Sequence, residues 1–266
     1  MSLVRATSSE LAKQFTTSIW WILAVVLAAY AGMCAAGLGA VFGANSEGGL
    51  RGGAGATDPT ALLYSLANAI GYVFPLLIGT LLVTGEFRHK TLTLTFLAIP
   101  QRATVLGGKL IAGSVMGLVY GVIGVVFVVG PAAAMLAVFG HDPALGSGNT
   151  WALIARTLIA YVLWVLIGIG IGVVVRNQVA AVVIVLAFTQ FVEPLLRLAG
   201  SLVEQLASVT HYLPGAAGDA LVGASIFGST SAEGALAWWG GGLVLLGYAA
   251  VLLVVGYLTS WRRDVA

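Results

Sequence analysis

Charged residues are scarce in this chain, so the few that remain decide what chemistry it can do. Only 8% of its 266 residues are Asp, Glu, Lys or Arg. They concentrate in one stretch, Gly85-Glu86-Phe87-Arg88-His89-Lys90-Thr91-Leu92-Thr93-Leu94-Thr95-Phe96-Leu97-Ala98-Ile99-Pro100-Gln101-Arg102, which closes at Lys109. Read as a helix, Phe87, Thr91, Leu94 and Ala98 share one face. Thr91 to Phe96 also alternates as a strand would. A lone strand at a membrane surface leaves its edges unpaired, which favours the helix. The residues alone read equally well as a basic loop held to anionic lipid.

Two further charges lie inside apolar runs. Arg156 and Glu193 sit at depths where charge is costly and usually paired, so we expect an intramembrane Arg156–Glu193 pair. The alternative has Arg156 reaching to headgroups and Glu193 capping the break at Pro194.

Enzyme signatures are missing. Gly107-Gly108-Lys109-Leu110 lacks the first glycine and the hydroxyl of a phosphate-binding loop. His89, His141 and His211 are far apart and have no metal-ligand spacing. No nucleophile elbow or zinc-protease motif occurs. We expect no catalytic residues, no metal, and no cofactor bound by this chain.

These residues must be positioned by membrane helices. Hydrophobic residues make up 59% of the chain and its mean hydropathy is +1.02. A soluble domain carries about a quarter charged residues, so the bilayer must solvate most of this one. The reading is an all-α membrane protein, a single transmembrane domain over 1–266 with six spans. They fall at about 19–42, 61–84, 104–139, 151–175, 179–198 and 235–259. Each is long enough for ~30 Å of hydrocarbon at ~1.5 Å per residue.

Residues 1–18 read as a short interfacial helix, opened by a capping box from Thr7 to Glu10. Gly130-Pro131 is expected to break or kink the third span. Residues 199–234 form a half-polar outer segment. Cys34, the one cysteine, reads as a packing residue. Glycines at 113, 117 and 121 form a small-residue stripe for close helix contact.

Arg5, Lys13, Arg88, Lys90, Arg102, Lys109, Arg176, Arg262 and Arg263 collect on one side. The positive-inside rule then makes both termini and the 85–103 segment cytoplasmic. The location expected is the plasma membrane, multi-pass. Nothing points to nucleic acid.

Glu86, Arg88, Thr91, Leu97, Pro100, Arg102 and Lys109 resemble the pattern after the second span of ABC-2-type permeases, the membrane subunits of ABC exporters. His211-Tyr212-Leu213-Pro214 is also similar to that family. Lys90 stands where the family usually has glycine. The resemblance implies a cytoplasmic coupling helix between spans 2 and 3 that docks on a separate ATP-binding subunit, which would hold ATP and Mg. The coupling residues would be Glu86, Phe87, Arg88, Lys90, Thr91, Leu94, Leu97, Pro100 and Arg102. It also implies a second permease chain, identical or paralogous, and a pathway walled by spans 1, 2 and 5. Tyr72, Phe74, Phe188, Gln190 and Phe191 are candidates for its lining. The rival readings are an ATP-independent secondary transporter, an intramembrane hydrolase and a membrane anchor or sensor.

Overall fold

In this computed structural model the described residues are 3–44, 59–99, 101–226 and 236–261. Their regular elements are all helical. Six stretches are long and apolar enough to cross a bilayer, which makes this a multi-pass membrane protein. Lipid offers no hydrogen bonds, so the backbone must satisfy itself within each segment, and helices do so.

Helix α1 (Leu3–Thr16) precedes the first span, α2 (Ile19–Ala44). The second span comprises α3 (Pro59–Gly71) and α4 (Val73–Arg88), joined through Tyr72, whose backbone stays helical at φ −60° and ψ −23°. Pro75 interrupts the ladder at one place: it has no N–H to give the carbonyl of Gly71. A short helix, α5 (Leu92–Ala98), leads to the third span, α6 (Arg102–Val138). Then come α7 (Gly148–Val174) and the fifth span, made of α8 (Gln178–Ala187), a π-turn over Phe188–Val192, and α9 (Glu193–Leu202). Helices α10 (Glu204–Thr210) and α11 (Pro214–Val222) fill much of the segment before the last span, α12 (Trp238–Gly256), which runs on through a π-turn to Trp261.

The third span is not broken at Gly130-Pro131. Pro131 lies inside an unbroken α6. Its missing N–H frees the Phe127 carbonyl, and α2 covers that place: a Cβ on Gly32 would sit 3.2 Å from the Phe127 oxygen. The expected capping box is also absent. Helix α1 starts at Leu3, and the Thr7 hydroxyl donates back to the Leu3 carbonyl at 3.0 Å. Glu10 turns into the protein instead. Cys34 is half-buried and free.

Helix α7 is the centre of the bundle, touching α3, α4, α6, α11 and α12. Its burial follows from glycine. Gly113 and Gly121 on α6 meet Ile169 and Leu158 of α7, and a Cβ on Gly117 would lie 2.8 Å from the Val162 Cα. On another side, Gly79 of α4 faces the Val165 carbonyl and Gly168 of α7 faces the Leu76 carbonyl. These reciprocal notches let backbones touch where lipid gives no hydrophobic drive to associate. The stripe at 113, 117 and 121 thus packs on α7.

Overfilling a tight helix contact typically costs about 1–3 kcal/mol. Gly117→Val and Gly168→Val should each lower the melting temperature of detergent-purified protein by several degrees. Gly37→Ala, where no atom lies within 4 Å of the new Cβ, should leave it unchanged. Fluorescence-monitored thermal unfolding checks both.

Candidate functional site

Two charges of the densest stretch, Glu86 and Lys109, join Glu10 and Lys13 in a largely buried ionic ring. Lys109 Nζ lies 2.6 Å from Glu10 Oε2 and 2.9 Å from Glu86 Oε2, and its side chain is fully buried. Lys13 Nζ lies 2.7 Å from Glu10 Oε1 and 2.8 Å from Glu86 Oε1. Two lysines and two glutamates therefore alternate, each carboxylate bridging both ammonium groups. Helix α1 supplies Glu10 and Lys13 at i, i+3 on the face that also presents Ala6 to Gly108 of α6. The end of α4 supplies Glu86, and the first turns of α6 supply Lys109. The ring ties these three helices into one unit.

Burial by itself would lower the Lys13 pKa. Its bonds to Glu10 and Glu86 outweigh that and hold it above the ordinary 10.5. A pKa raised in the folded state adds stability that is fully present below the unfolded value. It is lost only as pH rises through the folded value. Lys13 therefore keeps its place in the ring throughout the physiological range.

Directly after Glu86 the chain reverses. Lys90 N–H donates to the Phe87 carbonyl at 3.3 Å and Thr91 N–H to the Glu86 carbonyl at 3.1 Å. This is a Schellman end, and its left-handed residue is Lys90, at φ 55°. Glycine suits such a position best, and here a lysine occupies it. Helix α5 follows at once and packs on α6.

The expected coupling residues divide into two groups. Glu86 is buried in the ring and Phe87 is half-buried against the core. Arg88, Lys90, Thr91 and Leu97 are exposed, Leu97 at 75%. Arg88 Nη1 donates to Gln178 Oε1 at 3.5 Å. The Arg102 guanidinium lies 5.2 Å from the centre of the Phe96 ring. Pro100 and the side chain of Leu94 lie outside the described residues.

A second charged cluster lies toward the other end of the fifth span, roughly 22 Å along the helix from Gln178. The Arg197 guanidinium reaches Glu193 Oε1 at 3.0 Å and Asp219 Oδ2 at 2.8 Å. Asp219 also accepts from Asn68 Nδ2 at 3.0 Å and from the Ser225 hydroxyl at 2.7 Å. Ala216 N–H donates to Glu193 Oε1 at 3.1 Å. Helices α3, α9 and α11 thus meet through polar contacts in an apolar bundle.

This corrects the expected Arg156–Glu193 pair. Glu193 takes Arg197, one turn on in the same helix, and Arg156 instead lies 4.9 Å above the ring of Trp238. The reason is topological: α7, which carries Arg156, scarcely touches the fifth span and packs on α12. The i, i+4 spacing of Glu193 and Arg197 was the signal for the true partner. Nothing in the spacing announced Asp219 or Asn68.

A cavity of about 1070 Å³ opens beside this cluster. Tyr72, Phe74 and Gln190 of the candidate lining residues are on its wall, with Thr189, Glu193, Arg197 and Asp219. Phe188 and Phe191 are not among the lining residues, and Phe191 is 68% exposed on the outer face of the span. The π-turn accounts for this division: its extra residue rotates the helix by about 100°. Glu193 comes inward and Phe191 is left outside.

No protein-family model matches this sequence, and no curated protein matches it.

Removing one partner of a buried ion pair typically costs about 3–5 kcal/mol, because the other charge is stranded. Lys109→Met should therefore destabilise the protein sharply and release α1, seen as faster amide exchange over residues 3–16. Lys13→Gln, at a side chain 40% exposed, should have a much smaller effect.

Proposed function

We propose that this chain is the membrane subunit of an ATP-driven ABC-2-type exporter. Its coupling helix is α5, and its ATPase is a separate subunit that binds ATP and Mg. The carrying observation is the presentation of α5. A seven-residue helix leaves a rigid reversal at Lys90, and the two spans flanking it are pinned to α1 by the ionic ring. Leu97, Arg88 and Lys90 are exposed there, an apolar knob beside two cations. A partner that closes on ATP could push this unit as one body. A ligand shifts a conformational equilibrium only through contacts that differ between states, and a rigid lever supplies them.

On this reading α1 is the interfacial helix, both termini and α5 are cytoplasmic, and the membrane is the plasma membrane. A second permease chain, identical or paralogous, completes the pathway, and lipid surrounds both. The chain itself has no enzyme site. The rival with an observation in its favour is the secondary transporter, because the Glu193–Arg197–Asp219 cluster is buried inside the bundle as in such proteins. A proton-gradient collapse that stops transport while ATP remains would favour it.

Glu86 is a lock within the fold, so its reversal would test stability. Coupling is tested at the surface. Arg88→Glu with Lys90→Glu should remove a vanadate-sensitive ATPase that co-purifies with the wild type from native membranes, while the chain still inserts and melts as the wild type does. Undiminished ATPase in that double variant would refute the docking role.

A further inference from the structure

The cavity beside Glu193 carries a charge problem that the surrounding protein does not solve. Its wall holds two carboxylates, Glu193 and Asp219, one guanidinium, Arg197, and the imidazole of His211. Asp219 is satisfied by Arg197, Asn68 and Ser225. Glu193 is not: Oε1 accepts from Arg197 and Ala216, whereas Oε2 has no hydrogen-bond partner among the described residues. The residue is 1% exposed. A buried carboxylate oxygen without a donor is strongly disfavoured while the group stays ionised, and either a proton or a cation relieves it.

The contrast with the ring at the opposite end is instructive. There two acids meet two bases and the charge balances; here one negative charge is left over. The surroundings suit a particular kind of cation. Tyr72 and Phe74 are aromatic walls of the same cavity, and Tyr72 is held in place by Trp164, with ring centroids 4.5 Å apart. The Tyr72 hydroxyl donates to the Thr189 carbonyl at 3.3 Å, so its ring is fixed by both ends. Aromatic faces attract cations, most strongly where water is excluded. At about 1070 Å³ the space is at the large end for small-molecule sites, far larger than a metal ion or a proton needs.

We propose that this cavity binds a bulky, largely apolar organic cation, with Glu193 as its counter-charge and Tyr72 and Phe74 as its aromatic walls. Arg197 and Asp219 are positioning residues that hold Glu193 against the wall. As the class of exported substrate this rests on the exporter reading; as a binding site it does not.

The test is equilibrium dialysis of tetraphenylphosphonium against the purified full chain in lipid nanodiscs at pH 8, without ATPase or nucleotide. The neutral probe is triphenylphosphine oxide. The wild type should bind the cation saturably and at least tenfold more tightly than the neutral probe. Glu193→Gln should weaken cation binding about tenfold and leave the neutral probe unchanged. Gln190→Glu, at an exposed position on the same wall, should tighten it several-fold and does not disturb the buried cluster. Equal affinity for cation and neutral probe in the wild type would overturn the proposal, showing either an apolar pocket or a Glu193 that is neutralised by a proton alone. So would a Gln190→Glu protein that binds the cation no better. Because no ATPase is present, these failures bear on the ligand class and leave the exporter reading to its own test.

Discussion

Three buried charged side chains and a half-exposed fourth must neutralise one another, and that requirement organises one end of this protein. Lys109 is fully buried among Glu10 and Glu86, and Lys13 closes the ring. No member can leave without stranding another. Helix α1 therefore lies against α6 because its acid and its base face inward on one side. The last turn of α4 is fixed by the side chain of Glu86, while the carbonyl of the same residue accepts from Thr91 in the reversal. One residue thus joins the ring to the turn, and the turn sets where α5 leaves. The exposed reversal is thus tied to charges beneath it.

The other end follows the opposite rule. Polar groups on α3, α9 and α11 meet around Arg197, but their charges do not cancel and space remains beside them. Two breaks in the regular helices lie along its wall. The second span passes from α3 to α4 at Tyr72, and the π-turn at Phe188–Val192 adds a residue to the fifth ahead of Glu193. Both accompany a proline, Pro75 and Pro194, whose missing N–H relaxes the helical ladder. A balanced cluster holds structure, whereas an unbalanced one beside a cavity invites a ligand.

Span positions were legible in the sequence because apolar runs of about 20 residues have few alternatives. The stripe at Gly113, Gly117 and Gly121 was legible as a contact, but its partner was not, since every neighbouring span is equally apolar. Long-range polar partners were the least readable. Glu10 and Glu86 are far apart along the chain, and only the fold brings them to Lys109. The Arg156–Glu193 expectation failed for the same reason: depth in the membrane can be read from a sequence, but which helices touch cannot. Pro131 does not break its span, and a glycine on α2 fits the place where the α6 ladder is incomplete. Glu86 shows the limit of reading a motif as surface, since a charge within a docking segment can equally be the anchor that holds it.

The most direct test of the account is a photo-crosslinking amino acid placed at Leu97, the most exposed described side chain of α5, and activated in native membranes. The account predicts one dominant adduct, with a protein that binds ATP through its own phosphate loop, and a change in its yield when vanadate traps the closed state. Adducts only with lipid, or an ATPase adduct absent under every nucleotide condition, would contradict the claim that this helix is where an ATPase takes hold.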